Sequence, residues 1–154
     1  MSDIIVGQPA PDFTLAGPEG DLTLASFKGR GLVLYFYPKD DTPGCTKEAQ
    51  GFSEMAAEFE KAGVAILGVS KDSVASHAKF IKKYDLSFAL GSDPEGATLE
   101  AYGAWVEKSM YGRQYMGIDR STFLIDRSGV LAAIWRKVKV SGHVIEVLKA
   151  AQSL

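Results

Sequence analysis

Two unbroken apolar runs limit what this chain can become. Residues 31–37 (GLVLYFY) and 64–69 (VAILGV) carry no charge and are rich in β-forming side chains. A strand without polar alternation is one covered on both faces, so these runs predict a sheet buried between layers. Between them, Ala49, Phe52, Ala56 and Phe59 recur at helical spacing and make one apolar stripe, closed by Lys61, Ala62 and Gly63. Residues 73–84 read as a second helix, with Val74, Ala78 and Ile81 inside and Lys79, Lys82 and Lys83 outside. A short strand at 88–90 and a short helix at 94–102 follow. Strands at 122–125 and 130–135 are joined by a turn at 126–129 (DRSG), and a last helix runs over 142–151 with Val144, Val147 and Leu148 buried. Ahead of the first run, Pro9 and Pro11 break an extended lead-in, and residues 21–24 form a short strand hairpinned through 17–20. The expected class is α/β: a layered sheet of mixed strand directions flanked by helices.

Residues 103–117 (GAWVEKSMYGRQYMG) have aromatics and glycines but no clean period, and read as a long surface excursion. Trp105, Tyr111 and Tyr115 could line a substrate-side or dimer surface there; ordinary packing accounts for them equally well. At 154 residues one domain is expected, residues 1–154. A net charge of 17 − 19 = −2 gives no electrostatic case for nucleic acid or an anionic membrane. The first residues show no basic-then-apolar signal pattern, and no apolar run approaches the ~20 residues of a membrane span. The expected location is the cytoplasm. The single cysteine excludes an intrachain disulfide and a cysteine-built zinc site. The two histidines, far apart and without an acidic partner, give no expectation of a metal, and no cofactor is expected. His77, among lysines, reads as solvated, and His143 as a capping or packing residue. GRG and GPEG lack the strand–loop–helix context of a phosphate loop.

That cysteine lies in PKDDTPGCTKEAQ, directly after the first apolar run. Thr42 reads as an N-cap whose hydroxyl accepts from a first-turn N–H, with Pro43 at the first helical position. Cys45 then sits in the first turn, where free N–H groups and the helix dipole favour a negative charge on sulfur. Buried cysteines also serve as small hydrophobes. Against that reading, Pro38, Pro43 and Gly44 stiffen the turn, and ligands gather at the carboxyl ends of strands in such sheets. Arg120, just before the strand STFLID, meets the Cys45 turn if those strands are neighbours.

The string PKDDTPGCT resembles the P-x-x-x-T-x-x-C signature of peroxiredoxins. YFYPKDDTPGCTKEA, DRSTFLID, GQPAPDFTL, GVSKDS and KVKVSGHVIEVL resemble the bacterioferritin comigratory protein, or peroxiredoxin Q, subfamily, and together they cover essentially the whole chain. The resemblance implies a thioredoxin-like fold with an N-terminal hairpin, and thiol-based reduction of hydrogen peroxide and organic hydroperoxides. It makes Cys45 the peroxidatic nucleophile and Thr42 the hydroxyl offered to peroxide and sulfur. Pro38 becomes the shield of the thiolate, and Arg120 the cation that favours it and binds substrate oxygens. The N–H groups of Gly44 and Cys45 are further donors. Glu48 matches an acidic residue that orients the arginine, although a solvated helix glutamate fits the sequence as well.

Many members of this subfamily carry a second cysteine five residues after the first, where this chain has Gln50; others place one on the next helix. The resemblance is therefore to the one-cysteine type, with the sulfenic acid resolved by glutathione, glutaredoxin or thioredoxin, or by a second chain's Cys45. Monomer and homodimer both occur among such proteins. Two other readings stay open at this point. One is a non-catalytic redox-sensing or chaperone-like module that uses Cys45 as a switch. The other, a thiol–disulfide oxidoreductase, is disfavoured by the absence of a C-x-x-C pair.

Overall fold

A computed structural model describes residues 4–154. The chain opens with a hairpin of β1 (Thr14–Leu15) and β2 (Leu22–Thr23), paired Thr14 to Thr23 and Leu15 to Leu22. A 3₁₀ turn, Leu24–Phe27, leads to β3 (Gly31–Phe36), every residue of which is buried. Then follow α1 (Pro43–Glu54), α2 (Ala56–Lys61), β4 (Val64–Ser70), α3 (Val74–Tyr84), β5 (Ala89–Ser92) and α4 (Ala97–Ala101). The last third holds β6 (Trp105–Met110), β7 (Arg113–Ile118), β8 (Ser121–Ile125), β9 (Leu131–Trp135) and α5 (His143–Gln152).

The central sheet has the order β5-β4-β3-β8-β9. β3 runs parallel to β4 and antiparallel to β8, so the mixed directions expected from the sequence are present. Alternate residues of β3 face two separate cores. Val33, Tyr35 and Tyr37 pack with Phe52, Phe59, Phe80 and Val147 on the face that carries α1, α2, α3 and α5. Leu32, Leu34 and Phe36 pack with Phe13, Leu99, Tyr102 and Phe123 on the other. Burial on both faces is why the run shows no polar alternation.

Three expectations are corrected. The helix that follows Cys45 is two helices, interrupted at Met55 (φ −97°, ψ 4°) just after Gly51 and Ser53, both weak helix formers. Residues 103–117 are no irregular excursion: β6 and β7 form an antiparallel ribbon, turned at Tyr111 and Gly112 with φ of 52° and 78°. Two positive φ values suit the twist of a two-residue hairpin. Most of its side chains face solvent, Tyr111 and Met110 among them, which removed the apolar period from the sequence. In α3 Val74 and Ile81 are half-buried and the three lysines exposed as expected, but the most buried positions are others. His77 and Phe80 are buried and Ala78 is exposed.

Gly68 in β4 pairs with Tyr35 and gives its ring room: a Cβ there would lie 2.8 Å from both Tyr35 Cζ and Leu90 Cδ2. Gly68→Ala is predicted to cost about 1–3 kcal/mol of unfolding free energy by overpacking, read from the urea midpoint at unchanged slope.

Candidate active site

β3 delivers the chain at its carboxyl end to Pro38, which is exposed, and the next residues turn into α1. Thr42 has the extended backbone of an N-cap (φ −101°, ψ 157°), and its carbonyl accepts the first helical bond from the Thr46 N–H at 2.8 Å. Its hydroxyl departs from expectation. It makes no cap bond to the first turn and donates instead to the Lys39 carbonyl at 2.8 Å, closing its own loop. Pro43 has no N–H, so Gly44 and Cys45 supply the open N–H groups of the first turn. Cys45 is the chain's one sulfhydryl and is 2% exposed.

The register that pairs Phe36 with Ser121 sets Arg120 across from the end of β3, beside this turn. A bond from the Val138 N–H to the Arg120 carbonyl, 2.9 Å, fixes its backbone. The guanidinium forks. Nη2 donates to Cys45 Sγ at 3.4 Å, and Nη1 to Glu48 Oε1 at 2.7 Å. Gly44 leaves the guanidinium room, since a Cβ there would lie 3.2 Å from Nη2, closer than ordinary contact. Glu48 is fully buried, so the solvated alternative falls away, and Gln50 lies outside on the exposed face of α1.

Glu48 is held on one side only. Oε2 has no partner among the described residues, and burial pushes the carboxyl up to about 7 despite the charge and hydrogen bond of Arg120. Burial works against the charge of Arg120, yet Glu48 and Cys45 hold it and move its ionisation upward. Tyr35, stacked on Phe52 at 4.7 Å, has a hydroxyl with no described partner, and burial followed by the nearby charge of Glu48 raises it. His143 packs between Phe52 and Trp135 and meets Thr122 Oγ1 through Nε2 at 2.8 Å, the packing role expected of it. Burial pushes its imidazole down to about 4, so it is neutral near pH 7.

His77 is the residue that sequence reasoning misplaced. It is fully buried, 2.7 Å from Asp40 Oδ2 through Nδ1. Asp40 and His77 are too far apart in the chain for any local pattern to pair them. A polar residue on an otherwise mixed helix defaults to the outside.

The arrangement is a buried sulfur with a fixed cation and free N–H groups at a helix start, suited to negative charge that develops on and beside sulfur. Comparison with known proteins agrees. Residues 6–134 match the AhpC/TSA family. The chain is a peroxiredoxin of that family. It is 56% identical to the putative peroxiredoxin Bcp of Coxiella burnetii over 94% of this chain and 97% of that one. With peroxiredoxin Bcp of Bacillus subtilis the identity is 47%, over 98% and 97%. Among solved structures, the bacterioferritin comigratory protein of Xanthomonas campestris, studied for alkyl peroxide reduction, superposes with a TM-score of 0.90 at 45% identity, covering 97% of this chain and 98% of that one. The fold is thus the thioredoxin-like one of peroxiredoxins, and the protein is a thiol-dependent peroxidase. Solved structures of the X. campestris peroxiredoxin Q include two different cysteine-to-serine mutants, whereas this chain has one cysteine.

Because Glu48 ionises near 7 when folded and near 4.5 when unfolded, the folded state binds the extra proton between those values. This contribution to stability is therefore present at low pH and is lost as pH rises through about 7. Subtracting the unfolding free energy of Glu48→Gln from that of the native chain isolates it from His143, which acts in the opposite direction between about 4 and 6.5. The difference is predicted to fall by a few kcal/mol at most from pH 4.5 to 7.5.

Proposed function

We propose that Cys45 is the peroxidatic nucleophile for hydrogen peroxide and organic hydroperoxides, and that an external thiol returns it to the reduced form. The observation that carries this reading is the 3.4 Å contact of Arg120 Nη2 with the sulfur while Nη1 is anchored on Glu48. Thiolate attacks one peroxide oxygen. An S–O bond forms as the O–O bond breaks, leaving a sulfenic acid and a hydroxide or alkoxide that takes up a proton. Negative charge spreads over S–O–O in the transition state. Arg120 and the N–H groups of Gly44 and Cys45 are the donors assigned to it, and fixed donors need no reorganisation.

Thr42 takes the complementary part. Its hydrogen is committed to the Lys39 carbonyl, so its oxygen presents lone pairs that accept the peroxide O–H. Pro38 fixes the start of the loop and screens the thiolate from bulk water. Glu48 orients the arginine.

Recycling needs two equivalents of thiol. The first condenses with the sulfenic acid to a mixed disulfide and water; the second displaces Cys45 thiolate. With no other cysteine in the chain, glutathione, glutaredoxin or thioredoxin fills this part, in the cytoplasm. A disulfide between two copies of Cys45 is the weaker route, since each sulfur is buried. One domain spanning residues 1–154 carries the whole activity, in a monomer or homodimer.

Cys45→Ser is predicted to abolish peroxide consumption; retained turnover would end this reading. In stopped-flow measurement with hydrogen peroxide, Arg120→Met should slow loss of the thiol about 10²–10³-fold, the usual cost of one fixed donor. Intact mass after peroxide should show a gain of one oxygen, converted by glutathione to a mixed disulfide at the same residue.

A further inference from the structure

The loop that mounts Cys45 is gripped by α3 at two successive aspartates. Asp40 points inward and is 8% exposed. Its Oδ1 accepts from the Tyr37 hydroxyl at 2.5 Å, and its Oδ2 from the Ser76 hydroxyl at 2.7 Å and meets His77 Nδ1 at 2.7 Å. His77 Nε2 lies 3.1 Å from the Gly91 carbonyl, which can only accept, so that nitrogen carries a hydrogen. Burial works to raise the Asp40 carboxyl, but the bonds from His77, Tyr37 and Ser76 outweigh it and the net movement is downward. A second tie joins the Asp40 N–H to Asp72 Oδ2 at 2.8 Å, just beyond the end of β4. Among the described residues Asp40, Asp72 and His77 could gather round a cation, yet their polar atoms here engage one another and Tyr37, Ser70, Ser76 and the Gly91 carbonyl.

Asp41 points outward. It has φ of 57°, a left-handed backbone that side-chain-bearing residues rarely adopt, and Lys83 Nζ and the Tyr84 hydroxyl hold it at 2.7 and 2.6 Å. Thr42, Pro43, Gly44 and Cys45 follow directly.

The loop must also let go. A thiol reductant is bulkier than peroxide, and it must bring its own sulfur into line with one that is 2% exposed. The start of α1 has to open for that step.

We propose that Asp40 and His77 are positioning residues for Cys45: with the outer grip of Lys83 and Tyr84 on Asp41, they tie the loop to α3 in the form that reacts with peroxide, and release of this clamp admits the reductant. The proposal rests on Cys45 being the peroxidatic nucleophile, and its signature is opposite effects on the two halves of the cycle. A tight clamp favours oxidation and opposes reduction, whereas a residue that only stabilises the fold would move both halves the same way or neither.

The test separates the half-reactions by stopped flow: hydrogen peroxide on the reduced protein, then dithiothreitol on the preformed sulfenic acid. His77→Gln keeps a donor toward Gly91 and loses the contact with Asp40. It is expected to slow oxidation about 10- to 100-fold, the scale of a misplaced reacting group, and to speed reduction several-fold. Lys83→Met combined with Tyr84→Phe frees Asp41 from the solvent side and should move both rates in the same directions by less. It decides the matter if His77→Gln does not fold. Rates that fall together, or a pair of unchanged rates, overturn the clamp. A native chain whose Cys45 does not react with peroxide would instead overturn the peroxidatic assignment itself.

Discussion

The arginine fork at the carboxyl end of β3 is the interaction on which the site depends. One guanidinium spans a sulfur and a carboxylate on successive turns of α1, and it is carried by a strand that pairs with β3 in the opposite direction. The cation therefore lies 75 residues from the thiol and 72 from the acid in the chain, and it meets them only through the sheet register. A shift of one residue between β3 and β8 would turn Arg120 to the other face. Unbroken burial of β3 and β8 holds that register, so the most apolar part of the protein positions its most polar one.

The fork also explains a costly choice. A carboxyl with no exposure and one oxygen unpartnered among the described residues is an unfavourable core group. Burial brings Glu48 to about 7, so its charge opposes folding at neutral pH and above. The benefit is directional: with Nη1 occupied on Oε1, Nη2 is aimed at sulfur. Stability is given up to hold a fixed donor against the sulfur, a trade common at functional sites.

Much of this was legible in the sequence. Pro43 one position after Thr42 marked the helix start, and with it the first-turn position of Cys45. The neighbourhood of Arg120 was legible only on the condition that the two apolar strands pair, and the structure meets that condition. What stayed hidden depends on partners distant in sequence. His77 is inside because Asp40, Tyr37 and the Gly91 carbonyl satisfy it, and none of these is near it in the chain. The direction of the Thr42 hydroxyl was set by the Lys39 carbonyl, which competes with the first-turn N–H groups for the same side chain. The β6–β7 ribbon escaped because most of its side chains are exposed on both faces, leaving no period to read.

If Cys45, Glu48 and Arg120 act as one unit, Glu48 contributes to the reaction only through the arginine. The direct measurement is a double-mutant cycle on the second-order rate of Cys45 with hydrogen peroxide, using Arg120→Met, Glu48→Gln and the two combined. The account predicts that the double variant reacts within about twofold of Arg120→Met alone, because the second change has nothing left to disrupt. Rate losses that multiply, as for independent groups, would contradict it.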